Sequence, residues 1–414
     1  MASRRTIAVV GAGPAGLAAA LLLRRDGHSV SIFERFERPA PVGSGLILQP
    51  TGLTVLDSLG LLHEIMALGA RIDRLYGSDA TTGRAVLDVR YDASPGGRFG
   101  LAVHRAALFG VLCGAVEAAG LAITTATEIE DVDAGATGAY LVAKAGRRIG
   151  PFDLVVDASG ARSRLRGRAL RPTEPRPLAY GAFWASLAWR HDGFDPHALL
   201  QRYERANVMI GVLPIGRPAS GAEEMAAFFW SLKPQDADVV RATGLDGWKA
   251  RVAGLWPECA TFLDQIASFD DLTLARYGHH TLAFPAGRSL AIVGDAAHST
   301  SPQLGQGANM ALLDAAALAH ALETTADVEA ALAAYCSARR WHVRLFQAAS
   351  AAFTPFYQSD STMLPFVRDR LVATIAKIPP APRVLASLVA GTLVEPFHKV
   401  GLKEVDWVGV GKSP

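Results

Sequence analysis

The sequence is poor in the features that mark secreted, membrane-spanning or nucleic-acid-binding proteins. Its three cysteines, Cys113, Cys259 and Cys336, lie far apart and form no Cys-x-x-Cys pair, so neither a disulfide framework nor a zinc site is expected. No apolar run reaches the roughly 18 residues that a transmembrane helix needs. The formal net charge is only +2, and the basic residues form no long run. These absences predict a reduced, cytoplasmic protein with no metal site and no nucleic-acid partner.

The composition that remains is that of a globular protein with a large core. Half of the 414 residues are hydrophobic and 19% are charged. A chain of this length can form one large domain or two fused domains. No internal repeat or low-complexity linker separates them, so we expect interleaved domains.

The first 35 residues have the pattern of a β-strand, a helix and a second β-strand. The β-branched run at 6–10 predicts a buried parallel strand, and the glycine-rich turn GAGPAG at 11–16 follows it. A helical pattern then stops at Gly27, and the next strand, 29–35, carries Glu34 near its end. This unit is typical of dinucleotide-binding proteins.

Each glycine of this turn has a predicted role. Gly11 allows the tight turn, Gly13 lets the backbone approach a pyrophosphate, and Gly16 permits close packing of helix and strand. Glu34 lies near the spacing expected of an acid that binds a ribose 2′-hydroxyl, which favours FAD or NAD over NADP. The residues predicted to contact the dinucleotide here are Gly11, Gly13, Pro14, Ala15, Gly16, Glu34 and Arg35.

A second strand–turn–helix pattern lies almost three hundred residues later. In VGDAAHSTSPQLGQGANMALL, at 293–313, an apolar strand leads into a glycine- and proline-rich turn and then an Ala/Leu-rich helix. Such a turn at a helix N-terminus is a common binding site for anionic groups. It is either a second nucleotide site or the other end of the first.

The rest of the sequence contains two kinds of pattern, one typical of helices and one typical of strands. Residues 43–62 resemble a glycine-rich loop that leads into a helix, and 103–119 predicts a helix with Arg105 in its first turn. Alternating aromatic segments between about 178 and 284 predict an antiparallel sheet.

We therefore expect an α/β fold, in which a Rossmann-like FAD-binding domain is interleaved with a mostly antiparallel β-sheet domain and followed by C-terminal helices. The predicted boundaries are 1–75, 100–177 and 285–330 for the FAD-binding domain, 76–99 and 178–284 for the substrate-binding sheet, and 331–414 for the C-terminal helical region.

Three blocks of this sequence resemble the single-component, FAD-dependent aromatic hydroxylases, which share the p-hydroxybenzoate hydroxylase fold. The branch that looks nearest includes the polyprenyl-methoxyphenol hydroxylases. The first block is GAGPAG with Glu34, and the second is DLVVDASGARSRLR at 153–166. The third is 294–315, which matches the family at Asp295, Pro302, Gly305, Gly307, Asn309 and Asp314. The second block departs from the usual Gly-Ala-Asp-Gly, because Asp157 precedes the usual position of the acid and Ser159 occupies it.

The resemblance implies one extended FAD that is bound at both ends. Asp295 is expected to bind a ribityl or ribose hydroxyl, while Gly305 and Gly307 leave room for the isoalloxazine edge. The amides of Gly307, Ala308 and Asn309 would begin a helix that points at flavin N1 and O2, where its dipole favours the anionic reduced ring by roughly 0.3–2 kcal/mol. Pro302 would lie against the ring, and Arg105 would contact the cofactor.

The resemblance also implies the reaction. NADH or NADPH would reduce FAD transiently, O2 would form a C4a-hydroperoxyflavin, and a hydroxyl would pass to an aromatic or other electron-rich small molecule. Trp184, Tyr203, Met209 and Phe229 of the predicted sheet are candidates for the substrate pocket. No catalytic base can be nominated. His298 is interpreted as a packing or hydrogen-bonding residue of its turn, and His279 and His280 as strand or surface residues.

Three other functions stay open. A flavin-dependent halogenase requires a catalytic lysine and usually a WxWxIP segment, and neither FWASLAW nor FFWSLKP matches it. A prenyl-chain reductase or cyclase would use the apolar and basic tail at 363–396 for peripheral membrane contact, although a helical cap is the preferred interpretation of that tail. A non-catalytic FAD-binding protein would have little need for the third block. The sequence does not reveal the oligomeric state or the substrate.

Overall fold

The structure is a computed structural model that describes residues 4–38, 43–135, 138–190 and 193–410. The predicted N-terminal boundary at residue 1 and the C-terminal boundary at 414 lie outside these ranges. The predicted division into domains stays a prediction, and the sheets below show how the strands are distributed over it.

A six-stranded sheet combines strands from both halves of the chain. Its strands, in spatial order, are Ala286–Gly287, Leu290–Ile292, Leu154–Asp157, Thr6–Val10, Ser29–Phe33 and Ile123–Thr124. All neighbours pair parallel except the first two, which form a hairpin. The apolar side chains of Thr6–Val10 and Leu154–Asp157 are buried on both faces, as a parallel sheet covered by other layers requires. The carboxyl ends of these strands therefore meet at one edge, where ligands bind in such folds.

A seven-stranded sheet forms the second layer. Its strands, in spatial order, are Thr273–Ala275, Gly181–Ala188, Met225–Leu232, Val208–Pro214, Ala198–Glu204, Arg74–Asp79 and Ala85–Arg90. The pairing is antiparallel except between Ala198–Glu204 and Arg74–Asp79, which run parallel. Strands from 74–90 thus join the sheet that the alternating pattern predicted for the middle of the chain.

Residues 178–284 form helices as well as the predicted strands. Helices Ala237–Ala242, Leu245–Leu255 and Ala260–Leu263 follow the last long strand and cover one face of the sheet. Trp248 and Val252 are spaced four residues apart, so both project from the same side of their helix into this core. The pattern was missed because the apolar stripe is short and is interrupted by glycine.

Smaller sheets and further helices complete the chain. The sheets are Gly45–Leu48 with Gly100–His104 and Ala70–Ile72, Ile129–Gly135 with Gly138–Ala143 and Arg148–Phe152, and Arg176–Pro177 with Gly278–His279. The other helices are Pro14–Arg25, Pro50–Ser58, Leu62–Leu68, Arg105–Ala118, Asp295–His298, Gly307–Thr324, Val328–Tyr357, Met363–Val367, Ala373–Ile375, Ala381–Val389 and Trp407–Val410. Helix Gly307–Thr324 is almost wholly buried between Pro14–Arg25, Pro50–Ser58 and Val328–Tyr357.

Two absences hold for the described residues. No helix there has the length and hydropathy needed to cross a bilayer. No group of three or more His, Cys, Asp or Glu side chains in those ranges is arranged to hold a metal ion.

Candidate functional site

The first glycine-rich turn lies at the carboxyl edge of the parallel sheet. A Cβ on Gly16 would stand 1.9 Å from the carbonyl oxygen of Gly11, so no side chain fits where the helix approaches the turn. A Cβ on Gly13 would meet no protein atom within 4 Å, although Gly13 has ordinary extended backbone angles. Because Gly13 has no side chain, the space beside the turn stays open, as is required where the backbone approaches a ligand.

Glu34 joins this turn to the neighbouring strand. Its carboxylate accepts hydrogen bonds from the backbone amides of Ala12, at 2.8 Å, and Phe36, at 3.0 Å. Two amide donors hold the carboxylate at the end of the strand, where the predicted ribose would lie. The side chain is 8% exposed, so it borders the cleft without projecting into solvent.

A cavity of about 330 Å³ runs along this edge. Six of the residues predicted to bind the cofactor line it: Gly11, Gly13, Pro14, Glu34, Arg35 and Arg105. Ala15 and Gly16 lie behind it, buried in the first turn of helix Pro14–Arg25. Leu46 and Phe109 extend the apolar part of the wall toward Arg105. The structure therefore brings the N-terminal predictions together with the predicted helix arginine in one cleft.

The second block contributes a loop whose acid faces inward. Asp157 is fully buried, and its carboxylate accepts hydrogen bonds from the Ser159 hydroxyl at 2.5 Å and the Ser163 hydroxyl at 2.5 Å. Burial raises the pKa of Asp157, against the lowering effect of these hydrogen bonds. Ser159 and Gly160 line the cavity in its place. Asp157 thus supports the loop, while Ser159 borders the cavity.

Two arginines of this loop were not nominated from the sequence. Arg162 and Arg164 both line the cavity. Arg164 forms ion pairs with Glu128 and Glu130, whereas Arg162 is exposed and has no ion pair with a described residue. The sequence could have indicated them by their position, because both follow the end of a strand and a glycine turn.

The third block lies directly beside the first. A Cβ on Gly294 would stand 3.4 Å from the Cβ of Ala15 and 3.1 Å from that of Ala311, so the two glycine-rich turns and their helices are adjacent. Asp295 follows Gly294, and its carboxylate is exposed and has no hydrogen bond to a described side chain or amide. The two turns form one continuous edge, which favours one extended ligand over two sites.

The space in front of the third block is open. A Cβ on Gly307 would find Asp295 Oδ1 at 3.8 Å as its nearest atom, and one on Gly305 would find Gln49 Nε2 at 3.6 Å. Gly305 also has φ +61°, which suits glycine. Pro302 begins a short 3₁₀ turn, Pro302–Leu304, and is exposed. Gly305 and Gly307 thus leave a gap between the Asp295 carboxylate and Gln49.

Helix Gly307–Thr324 points its N-terminus at this gap. The first helical hydrogen bond runs from the Met310 amide to the Gln306 carbonyl at 2.9 Å, so the amides of Gly307, Ala308 and Asn309 have no partner within the helix. The Asn309 side chain points elsewhere: it is buried, accepts from the Gln49 amide and donates to the carbonyls of Ile47 and Gly305. The backbone of Asn309 is available to a ligand, while its side chain fixes the wall at 45–49.

Behind the gap, Asp314 is buried between two basic side chains. His298 Nε2 lies 2.5 Å from one carboxylate oxygen, and Arg339 Nε donates to the other at 2.7 Å. Burial alone would raise the pKa of Asp314, but attraction to His298 and Arg339 lowers it to about 2. Burial likewise opposes the imidazolium, yet the Asp314 carboxylate raises the pKa of His298. His298 is a packing residue of the turn in this geometry, with no access to the cleft.

The four predicted substrate residues share one face of the antiparallel sheet. Tyr203, Met209 and Phe229 are buried in one cluster, and Trp184 packs against its edge, with its ring 4.7 Å from that of Phe229. Only Trp184 is partly exposed. Its indole Nε1 donates to the hydroxyl of Tyr277 at 2.7 Å. Tyr203 instead lies deep in the sheet, where its hydroxyl donates to Gln201.

Tyr277 was missed by sequence reasoning. Burial raises the pKa of its hydroxyl to about 12, while the hydrogen bond from Trp184 and the charge of Arg105 act in the opposite direction. Arg105 also attracts the carboxylate of Asp295. Arg105, which lines the cavity, is therefore close enough for its charge to act on both Asp295 and Tyr277. Tyr277 was hard to identify from the sequence, because it stands alone in a short segment. Neither His279 nor His280 lines the cavity: His280 is buried against Thr173, and His279 pairs in a two-stranded sheet.

The donor set along this edge fits FAD. Glu34 and the turn at 11–16 offer a carboxylate and free backbone for the adenosine and pyrophosphate, and Asp295 offers a second carboxylate for ribityl hydroxyls. The gap at Gly305 and Gly307 would be filled by any side chain there, and the helix amides behind it favour a ring edge that carries negative charge.

Comparison with known proteins places the chain among flavoproteins. The sequence model of the family described as FAD binding domain matches residues 4–349. The chain is 28% identical over 354 residues to an FAD-dependent urate hydroxylase of Mycolicibacterium vanbaalenii, covering 80% of this chain and 84% of that protein. It is 29% identical over 330 residues to 3-amino-4-hydroxybenzoate 2-monooxygenase of Streptomyces cremeus, covering 77% and 78%. Among solved structures, Klebsiella pneumoniae HpxO complexed with FAD and uric acid matches with a TM-score of 0.77 at 20% identity, covering 93% of this chain and 97% of that one.

Proposed function

Because the chain belongs to the FAD binding domain family and is a flavoprotein monooxygenase, we propose that it hydroxylates a small aromatic molecule with NADH or NADPH and O2. The fold class, the FAD cofactor and the enzyme class predicted from the sequence are confirmed. The proposed reaction consumes the aromatic C–H compound, O2, NAD(P)H and a proton. It yields the phenol, water and NAD(P)⁺, with one oxygen atom in each oxygenated product.

The observation that carries this proposal is the helix N-terminus that faces the gap at Gly305 and Gly307. A bound flavin supplies the two-electron chemistry that connects NAD(P)H to O2. The chain's part is to bind the adenosine end at Glu34, hold the ribityl chain at Asp295 and direct the amides of Gly307–Asn309 at the ring edge. A flavin held only for structure would have little need of those amides.

The side chains around Arg105 support an aromatic substrate. Trp184 and Tyr277 offer a partly exposed ring and a phenolic hydroxyl beside Arg105. Tyr203, Met209 and Phe229 lie behind them as an apolar layer that keeps water from the pocket. The urate and aminohydroxybenzoate in the names of the two relatives are both flat, electron-rich rings. We propose a substrate of that kind.

A cytoplasmic compartment is part of the proposal. Cys113, Cys259 and Cys336 are all free thiols, and the latter two are buried. A reducing compartment preserves such thiols. A supply of NAD(P)H is found there as well.

The proposal is tested by purifying the protein and measuring NAD(P)H oxidation with a panel of phenols, quinones and N-heteroaromatics. We expect a yellow protein whose NAD(P)H oxidation rises when the right ring is added. With ¹⁸O2 the product should gain one labelled oxygen.

Other products would contradict the hydroxylation. A gain of chlorine with chloride present would indicate a halogenase, and the loss of a double bond would indicate a reductase. Stoichiometric hydrogen peroxide with no oxygenated product across the panel would remove the support for hydroxylation.

A further inference from the structure

The C-terminal region exposes large apolar side chains in one short segment. Of the thirteen large hydrophobic side chains that are exposed among the described residues, six lie between 363 and 384. We call this set the C-terminal apolar patch; its members are Met363, Phe366, Leu371, Ile375, Ile378 and Val384. They are 43–69% exposed. Single exposed apolar residues are ordinary, but a run of them marks a surface that another phase or molecule covers.

Basic side chains are interleaved with the patch. Arg370, Lys377 and Arg383 are exposed, and none forms an ion pair with a described residue. The guanidinium of Arg370 lies 4.9 Å from the ring centre of Phe366, so its charge is held at the edge of the apolar surface. The acid of the segment, Asp369, is paired with Arg368 at 2.7 Å. The outer surface therefore carries unpaired positive charge beside apolar groups.

The opposite side of the segment is fixed to the protein. Arg368 is fully buried, with its guanidinium 5.1 Å from the ring centre of Tyr203 and 5.4 Å from that of Tyr357. It also donates to the carbonyl of Phe356 at 2.9 Å. Further along, Leu388 packs against Phe346 in the core. The inner side of the segment is therefore occupied by these contacts, and the apolar side chains of the patch face outward.

We propose that the C-terminal apolar patch docks on the surface of a lipid bilayer that carries anionic headgroups. Apolar side chains enter the boundary between headgroups and acyl chains, while neighbouring Lys and Arg side chains remain at the headgroups. Anionic lipid satisfies both parts of this surface at once. A second copy of the chain fits it less well, because a two-fold interface would bring the same three cations face to face.

Sedimentation with vesicles tests the docking, using the FAD-loaded full chain. Vesicles of phosphatidylcholine alone are compared with vesicles that also contain phosphatidylglycerol. We expect binding to the anionic vesicles that is at least about tenfold tighter than to the neutral ones, and that weakens with salt. The triple variant Arg370→Gln/Lys377→Gln/Arg383→Gln should lose at least about tenfold in affinity for anionic vesicles.

A second triple variant tests the apolar part. Phe366→Ser/Leu371→Ser/Ile375→Ser should also lose at least about tenfold, because the apolar insertion is removed. The matched control is Leu170→Ser/Val239→Ser, two exposed apolar residues outside the patch, which should bind as the unaltered chain does. Retained FAD absorbance and circular dichroism show that each variant is folded.

Two results would overturn the proposal. One is that the unaltered chain fails to bind anionic vesicles. The other is that both triple variants bind as tightly as the control. If light scattering instead shows a dimer that the apolar variant dissociates, and vesicles are not bound, the patch is an interface between copies. None of these results bears on hydroxylation, which is measured separately.

Discussion

The Nε2 atom of His298 lies 2.5 Å from Oδ2 of Asp314, behind the turn that precedes helix Gly307–Thr324. The same carboxylate accepts from Arg339 and, at 2.8 Å, from the backbone amide of Gly294. One buried acid therefore joins the turn, the helix that carries Asp314 and the next helix, Val328–Tyr357. The position of Asp295 depends on this junction, since Asp295 directly follows Gly294.

Replacing Asp314 should destabilise the protein strongly. Asp314→Asn leaves Arg339, 2% exposed, without its counter-charge, which typically costs about 3–5 kcal/mol in the free energy of unfolding. Chemical denaturation of the FAD-loaded protein measures this. Asp133→Asn is the matched control, because its ion pair with Arg148 is exposed and should contribute no more than about 1 kcal/mol. Equal effects of the two changes would contradict the role of the buried junction.

The junction should also make stability depend on pH. The pKa of His298 is raised above its ordinary value of 6.5 in the folded state, mainly through Asp314 acting against burial. Such a group stabilises the folded state fully below pH 6.5 and loses that contribution as the pH rises through the folded pKa. The difference in unfolding free energy between the unaltered chain and His298→Gln should therefore shrink as the pH rises above about 6.5. A difference that grows over this range would contradict the assignment.

Gly13 offers a test that separates binding from folding. In Gly13→Ala the new methyl meets no protein atom within 4 Å, so the apoprotein should keep its stability, but the methyl enters the space predicted for the pyrophosphate. We expect FAD affinity to fall at least about tenfold, measured by flavin fluorescence. Gly110→Ala in helix Arg105–Ala118 is the control and should leave FAD affinity unchanged. A normal FAD affinity in Gly13→Ala would place the cofactor elsewhere.

The N-terminal unit was predictable because its patterns are local. The strand at 6–10 occurs as Thr6–Val10, and helix Pro14–Arg25 ends just before Gly27. The third block was also predictable, because a strand, a glycine-rich turn and a helix follow one another directly in the sequence. Each of these features is determined by residues a few positions apart.

What the sequence did not reveal depends on long-range contacts. Alternation identified Trp184 and Tyr203 as strand residues, but it could not show that Trp184 stays partly exposed while Tyr203 is buried beneath Arg368. Tyr277 acquires its place only through the hydrogen bond from Trp184, 93 residues away. The inward turn of Asp157 likewise follows from the serines that its loop brings back to it.

This difference between Trp184 and Tyr203 is itself testable. Once a substrate is known, Trp184→Phe should raise KM several-fold, because the ring loses contact area and its hydrogen bond to Tyr277. Tyr203→Phe should instead lower the free energy of unfolding by about 0.5–1.5 kcal/mol, the usual contribution of a buried hydrogen bond, with KM unchanged. Steady-state kinetics and denaturation of both variants distinguish the roles. An increase in KM for Tyr203→Phe alone would reverse them.

We propose that residues 11–34 and 294–309 bind the two ends of one FAD. Titrating the apoprotein with FAD and with ADP, which carries only the adenosine end, distinguishes the two ends. Glu34→Gln should weaken both ligands. Asp295→Ala should weaken FAD by about 10- to 100-fold, the usual loss for a charged hydrogen bond, and leave ADP affinity within about twofold. FAD affinity that is unchanged in Asp295→Ala, or ADP affinity that falls as far as that of FAD, would contradict a single cofactor held at both turns.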